Sequence, residues 1–120
     1  MEEYLRYILV GILILIIIMR LTPARGVRHI TTADLKNELN DGDKMFIDVR
    51  TKGEFNKRKI EGFKNIPLYE LPQRTSELTS DKEVVLICQS GTRSNKAAKL
   101  LRKKGFSKIA NVKGGVSSWK

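Results

Sequence analysis

The chain is poor in the residues from which disulfide scaffolds and metal centres are built: it has one cysteine and one histidine in 120 residues. A single cysteine forbids an internal disulfide, so any disulfide must be intermolecular, and there is no second thiol to resolve an oxidised one. No His/Cys/Asp group has metal-ligand spacing, so neither a metal nor another cofactor is expected. His29 lies far in sequence from the segment that carries the chemistry and reads as incidental. There is no internal repeat and no low-complexity tract beyond one apolar run. No interleaving of aromatic and basic residues accompanies the positive charge, so nucleic acid is not an expected partner. No small-x-small cleavage site and no lipidation cysteine follow the apolar run, which argues against a secretory signal and a lipoprotein anchor.

That run is Ile8 to Met19, twelve apolar residues with Gly11 among them. Extended from Tyr4 to Leu21 it has eighteen positions, of which only Arg6 and Arg20 are charged. As a helix it reaches about 27 Å against a hydrocarbon core of roughly 30 Å. Tyr4 and Tyr7 suit the interface, and the two arginines can snorkel outward. Residues 1–21 are therefore expected to be a retained transmembrane anchor, 22–26 a linker and 27–120 one small domain. Arg20, Arg25 and Arg28 follow the span, against Arg6 and the amino terminus before it. The positive-inside tendency then puts the C-terminal domain in the cytoplasm. A lone reactive thiol suits that reducing compartment.

The chain carries 23 basic and 13 acidic residues, net +10. Lys57-Arg58-Lys59 and Arg102-Lys103-Lys104 are its densest basic clusters. They read first as a solvated surface, and secondarily as a surface that attracts anionic lipid headgroups and anionic substrates.

Beyond the linker, apolar and helical segments alternate. Val27 to Ile30 reads as a strand, and Thr31 or Thr32 caps a helix running to about Asn40. Strands are expected at Met45–Val49, around Asn65-Ile66, at Val84–Ile87 and at Ile109–Val112, the last closing the sheet. A helical turn is expected over Gly53–Lys59, and a helix or two short turns broken by Pro72 over Tyr69–Leu78. Ala97, Leu100 and Leu101 give a helix over Ser94–Lys104 its buried face, with Gly105 as its stop. The pattern predicts an α/β fold, a parallel sheet flanked by helices on both faces.

Cys88 ends the strand Val84–Ile87 and opens Cys88-Gln89-Ser90-Gly91-Thr92-Arg93-Ser94, which leads straight into a helix. A free thiol has a pKa near ~8.5 and is only a few per cent ionised at neutral pH. Inward-facing loop N–H groups, a helix N-terminus and Arg93 are the means by which a protein favours a thiolate at such a place. Charge-assisted hydrogen bonds, at about 1.5–3 kcal/mol each, outweigh the helix dipole at roughly 0.3–1 kcal/mol. Gly91 permits a positive φ if the turn needs one. A buried structural cysteine would need neither the polar loop nor the arginine.

This heptapeptide resembles the active-site loop of rhodanese-like sulfurtransferase domains. Asp48-Val49-Arg50, the stretch from Glu54-Phe55 to Ile60-Glu61-Gly62-Phe63-Lys64-Asn65-Ile66-Pro67, and Asn111-Val112-Lys113-Gly114-Gly115-Val116-Ser117-Ser118-Trp119 resemble the same family in the same order, so that the likeness covers about residues 27 to 120. Arg58-Lys59 depart from the Gly-His the family commonly shows before the position of Ile60. The resemblance implies a sulfurtransferase, which the apolar run would anchor to a membrane, with the following roles for its residues. Cys88 takes a sulfane sulfur from an anionic donor such as thiosulfate and passes it to a thiol or protein acceptor. Arg93 pairs with the donor, Gln89, Ser90, Gly91, Thr92 and Ser94 shape the binding loop, and Asp48 and Arg50 support it. Asp48 is expected to accept loop N–H bonds and Arg50 to add positive field at the mouth, while Gly114, Gly115 and Trp119 read as packing and turn residues. Two alternatives remain open: a thiol or persulfide sensor or docking module, and a phosphatase-type enzyme. The four residues between Cys88 and Arg93 make a smaller cradle than related phosphatases use, one suited to a sulfur atom.

Overall fold

The computed structural model describes residues 1–120. Helix α1 (Glu2–Leu21) is 20 residues long, has a mean hydropathy of 2.2 and buries none of its residues in the chain. At 1.5 Å per residue it spans about 30 Å, long and apolar enough to cross a membrane. Beyond it the strands are β1 (Arg28–Ile30), β2 (Lys44–Asp48), β3 (Lys64–Asn65), β4 (Glu83–Ile87) and β5 (Ile109–Val112). The helices are α2 (Thr32–Glu38), α3 (Lys52–Lys57) and α4 (Thr92–Lys103). Thr31 caps α2 and Thr51 caps α3, each through a capping box closed by Asp34 or Glu54. Two short 3₁₀ turns, Leu71–Gln73 and Thr75–Glu77, occupy the stretch around Pro72.

All five strands are parallel, in the order β1-β5-β4-β2-β3. β5 therefore does not close the sheet as expected; it is internal, between β1 and β4, and the edges are β1 and the two-residue β3. In a parallel sheet chain order does not dictate spatial order, because each crossover can skip a position. Side chains alternate across β4. Val84 and Leu86 join Ile47, Ala97, Ala98 and Leu101 under α4, while Val85 and Ile87 join Leu35, Phe46, Ala110 and Val112 on the α2 side. A strand buried on both faces reads as an unbroken apolar run, which is why β4 was legible.

Residues 22–26 are tied down rather than loose. Ala24 is buried, its N–H donates to Asn95 Oδ1 at 2.8 Å, and Asn95 Nδ2 donates to the Thr22 carbonyl at 3.1 Å. The His29 ring packs here too, with Nε2 donating to the Ala24 carbonyl at 3.2 Å. Parallel strands end on one edge, so Asp48-Val49-Arg50, Cys88 and Lys113-Gly114-Gly115 meet there.

Candidate active site

Cys88 follows the last residue of β4 and is 1% exposed. Its Sγ accepts the Gly91 N–H at 3.0 Å and lies 3.3 Å from Ser94 Oγ. The turn that makes this possible is left-handed: Gly91 has φ +108° and is the N-cap of α4. A side chain at Gly91 would be strained, so this glycine sets the loop and starts the helix two residues before the expected Ser94. Ser94 is fully buried. Besides Sγ, its hydroxyl faces Asn111 Oδ1 at 2.5 Å and the Gly91 carbonyl at 3.1 Å. One hydroxyl proton serves three acceptors, so Asn111 and Cys88 compete for it.

Arg93 is turned toward Glu54. The two form a bidentate pair, Nη1 to Oε1 at 2.6 Å and Nη2 to Oε2 at 2.9 Å. Each side chain is about a third exposed. The Arg93 guanidinium holds the Glu54 carboxyl down to about 2, helped by the Thr51 N–H and hydroxyl. In return Glu54, and more weakly Cys88 and Asp48, raise Arg93. Sequence reasoning did not assign Glu54 a role. Its only local signal was the capping box that begins at Thr51.

Arg50 departs from its expected place at the mouth. It is 2% exposed and its guanidinium clasps Asp48, Nη2 to Oδ2 at 2.8 Å and Nε to both carboxylate oxygens at 3.0 and 3.1 Å. Its remaining N–H groups reach the Glu54 and Arg58 carbonyls and Gln89 Oε1. Asp48, fully buried, accepts the Arg50 N–H at 2.9 Å and no N–H of the cysteine loop, contrary to expectation. The physical reason is solvation: a carboxylate out of water needs a cation beside it, and Arg50 is the nearest along the chain. The pair braces the loop through Gln89. Ser90 and Thr92 are exposed on the loop's outer side.

The closing stretch holds the loop from behind. The Val116 and Ser117 N–H groups donate to the Cys88 and Gln89 carbonyls at 2.9 and 3.0 Å. Gly115 has φ +59°, and a Cβ there would overlap the Cys88 carbonyl and come within 2.7 Å of that of Gln89. Gly115 thus does more than turn the chain; its lack of a side chain lets this stretch reach the cysteine loop. No group of three His, Cys, Asp or Glu side chains is arranged to hold a metal.

These features define an α/β domain built around a lone cysteine, cradled by a glycine turn at the C-terminal edge of a parallel sheet. The chain belongs to the rhodanese-like domain family, whose sequence profile matches residues 31–120. It is 49% identical over 75 residues to an uncharacterized protein of Bacillus subtilis, covering 62% of this chain and 60% of that protein. It is 33% identical over 94 residues to a sulfurtransferase of Allochromatium vinosum, covering 78% of this chain and 88% of that protein. The fold superposes on a rhodanese-like domain protein from Staphylococcus aureus with a TM-score of 0.72 at 30% identity, covering 78% and 92% of the two chains.

Proposed function

We propose that this protein is a membrane-anchored sulfurtransferase that stores one sulfur atom on Cys88. The Cys88 thiolate attacks the outer sulfur of thiosulfate. A sulfur–sulfur bond forms to Cys88, and the bond to the sulfonate breaks with its electron pair, leaving sulfite. An acceptor thiolate then attacks the outer sulfur of the Cys88 persulfide and leaves with it, and the Cys88 thiolate returns. Splitting the transfer through a covalent intermediate replaces one difficult step by two easier ones. The Gly91 N–H and the Ser94 hydroxyl face the charged sulfur, and Arg93 attracts the anionic donor at the mouth. The observation that carries the reading is the near-complete burial of a cysteine whose Sγ accepts a loop N–H at 3.0 Å. A carried sulfur there is shielded from water, and the burial of Cys88 favours a donor whose outer sulfur protrudes.

α1 supplies the anchor, with the folded domain on the cytoplasmic side and its acceptor a small thiol or a protein. Mass spectrometry of the full chain after thiosulfate treatment tests the chemistry. Cys88 is expected to gain the mass of one sulfur and lose it to cyanide, and Cys88→Ser to gain none. No adduct under conditions that load an authentic sulfurtransferase would sink the reading. Alkaline extraction of membranes tests the anchor, and release of the intact chain into the wash would reject it.

A further inference from the structure

Behind the cysteine loop lies a cavity of about 260 Å³ that takes no part in the chemistry above. Its strand wall comes from β1 and β5, whereas Arg50 and Glu54 follow β2 on the other side of β4. Neither Cys88 nor Arg93 lines it. It lies at the end of α1, lined there by the exposed Arg20, and is bounded further by His29, Asn111, the exposed Lys113 and Ser90-Gly91-Thr92.

His29, Asn95 and Gly91 in the lining spend their donors on Ala24, Thr22 and Cys88, whereas the Arg20 and Lys113 side chains and the Asn111 amide do not. Arg20 and Lys113 are both exposed and form no salt bridge, which leaves both charges free to meet a ligand. No acidic residue lines the cavity. Asn111 is 95% buried by its 5% exposure, and its Oδ1 is engaged by Ser94, but its Nδ2 makes no hydrogen bond within the chain. The only sealed side-chain polar atom without a partner is Asn65 Oδ1, so the Asn111 Nδ2 is open to a ligand or water in the cavity it lines. Two free cations and a free amide around one small cavity call for a compact anion with several acceptor oxygens. Pockets for drug-sized ligands run about 300–1,000 Å³, so this space suits a smaller polar group such as a phosphoryl with its adjoining ester.

Position selects the source. Arg20 is in the last turn of α1, so an anchored α1 puts the cavity mouth at headgroup depth. We infer that this cavity binds the phosphoryl group of an anionic phospholipid, seating the back of the cysteine loop on the membrane surface. The inference rests on the anchor reading.

Two measurements on the full chain separate the possibilities. Flotation with neutral phosphatidylcholine vesicles tests the anchor alone, and a chain that stays at the bottom rejects that reading. Amide NMR in detergent micelles tests the cavity whatever the flotation result. Titration with dihexanoylphosphatidylglycerol should give saturable shifts centred on Ser90, Gly91, Thr92 and the Asn111 side-chain amide. The Arg20→Gln/Lys113→Gln double variant should weaken that binding by ~tenfold or more through loss of two charge-assisted contacts. Lys57→Gln/Lys59→Gln, which removes equal charge at a remote cluster, should leave it unchanged. Inorganic phosphate distinguishes the sources. Competition by phosphate with the lipid supports a phosphoryl site, whereas saturation by phosphate with no response to the lipid overturns the lipid assignment. Shifts scattered over the basic surface, or equal weakening by both double variants, also overturn it.

Discussion

Glu54→Gln is the substitution that best separates the possible uses of Arg93. Gln keeps the size of the side chain and still closes the capping box with Thr51, so α3 should persist. The pair it breaks is about a third exposed on both sides, and such pairs are worth roughly 0–1 kcal/mol. The melting temperature should fall by at most about 4–8 °C. The effect on an anionic donor is larger. A dianion approaching Arg93 also meets the Glu54 carboxylate, and like charges about 4 Å apart repel by ~1 kcal/mol in water and more at a surface. Removing that repulsion should lower the apparent KM for thiosulfate by ~three- to tenfold, with kcat changed less than about threefold. In an Arg93→Ala background the gain should largely vanish. The pH dependence follows from the Glu54 carboxyl at about 2, against an ordinary value of 4.5. A depressed carboxyl stabilises the fold above its unfolded value, and that contribution is lost as pH falls from 4.5 through about 2. Between pH 5 and 8 Glu54 stays ionised, so wild type and variant should differ by a constant factor in the thiosulfate–cyanide assay. A raised KM would mean that Glu54 positions Arg93 rather than masking it. A difference that titrates in that window would refute the assignment of charge.

Three further outcomes follow from the loop's supports. Ser94→Ala should slow alkylation of Cys88 by iodoacetamide at neutral pH by ~tenfold or more, since a hydrogen bond to charged sulfur is worth about 1.5–3 kcal/mol; an unchanged rate would mean that the hydroxyl proton stays on Asn111. Asp48→Ala, which leaves Arg50 buried without its counter-charge, should cost about 3–5 kcal/mol in urea unfolding, and Asp48→Asn/Arg50→Met should recover part of it; equal losses in both would argue against a charge-burial cause. Gly115→Ala forces a side chain into left-handed backbone against two carbonyls, and should lower stability by about 2 kcal/mol or more together with sulfur loading; a melting point within a degree or so of wild type would contradict the packing described.

What could be read from the chain was local. β4 was visible because four consecutive apolar residues, Val84 to Ile87, serve two buried faces at once. The cysteine loop was visible because its glycine, arginine and helix start lie within seven residues of one another. Arg50 was misplaced because arginine is rarely buried, and only Asp48, two residues earlier and itself buried, explains the exception. Glu54 and Arg93 are 39 positions apart, and Ser94 and Asn111 are 17 apart. No periodicity links such pairs; the sheet order does, by setting β2 and β5 on opposite sides of β4.

The same order explains how the loop gets its shape before any donor arrives. A trans peptide points its carbonyl and the next N–H in opposite directions. When Val116 and Ser117 draw the Cys88 and Gln89 carbonyls toward the closing stretch, the Gln89 and Ser90 N–H groups must face the other way. That requires β5 to lie beside β4, and Gly115 to bring its backbone against the loop without a Cβ. The cradle is therefore a property of the whole sheet edge, formed during folding rather than by substrate. A loop with the same seven residues and no closing stretch should keep its cysteine and lose its orientation.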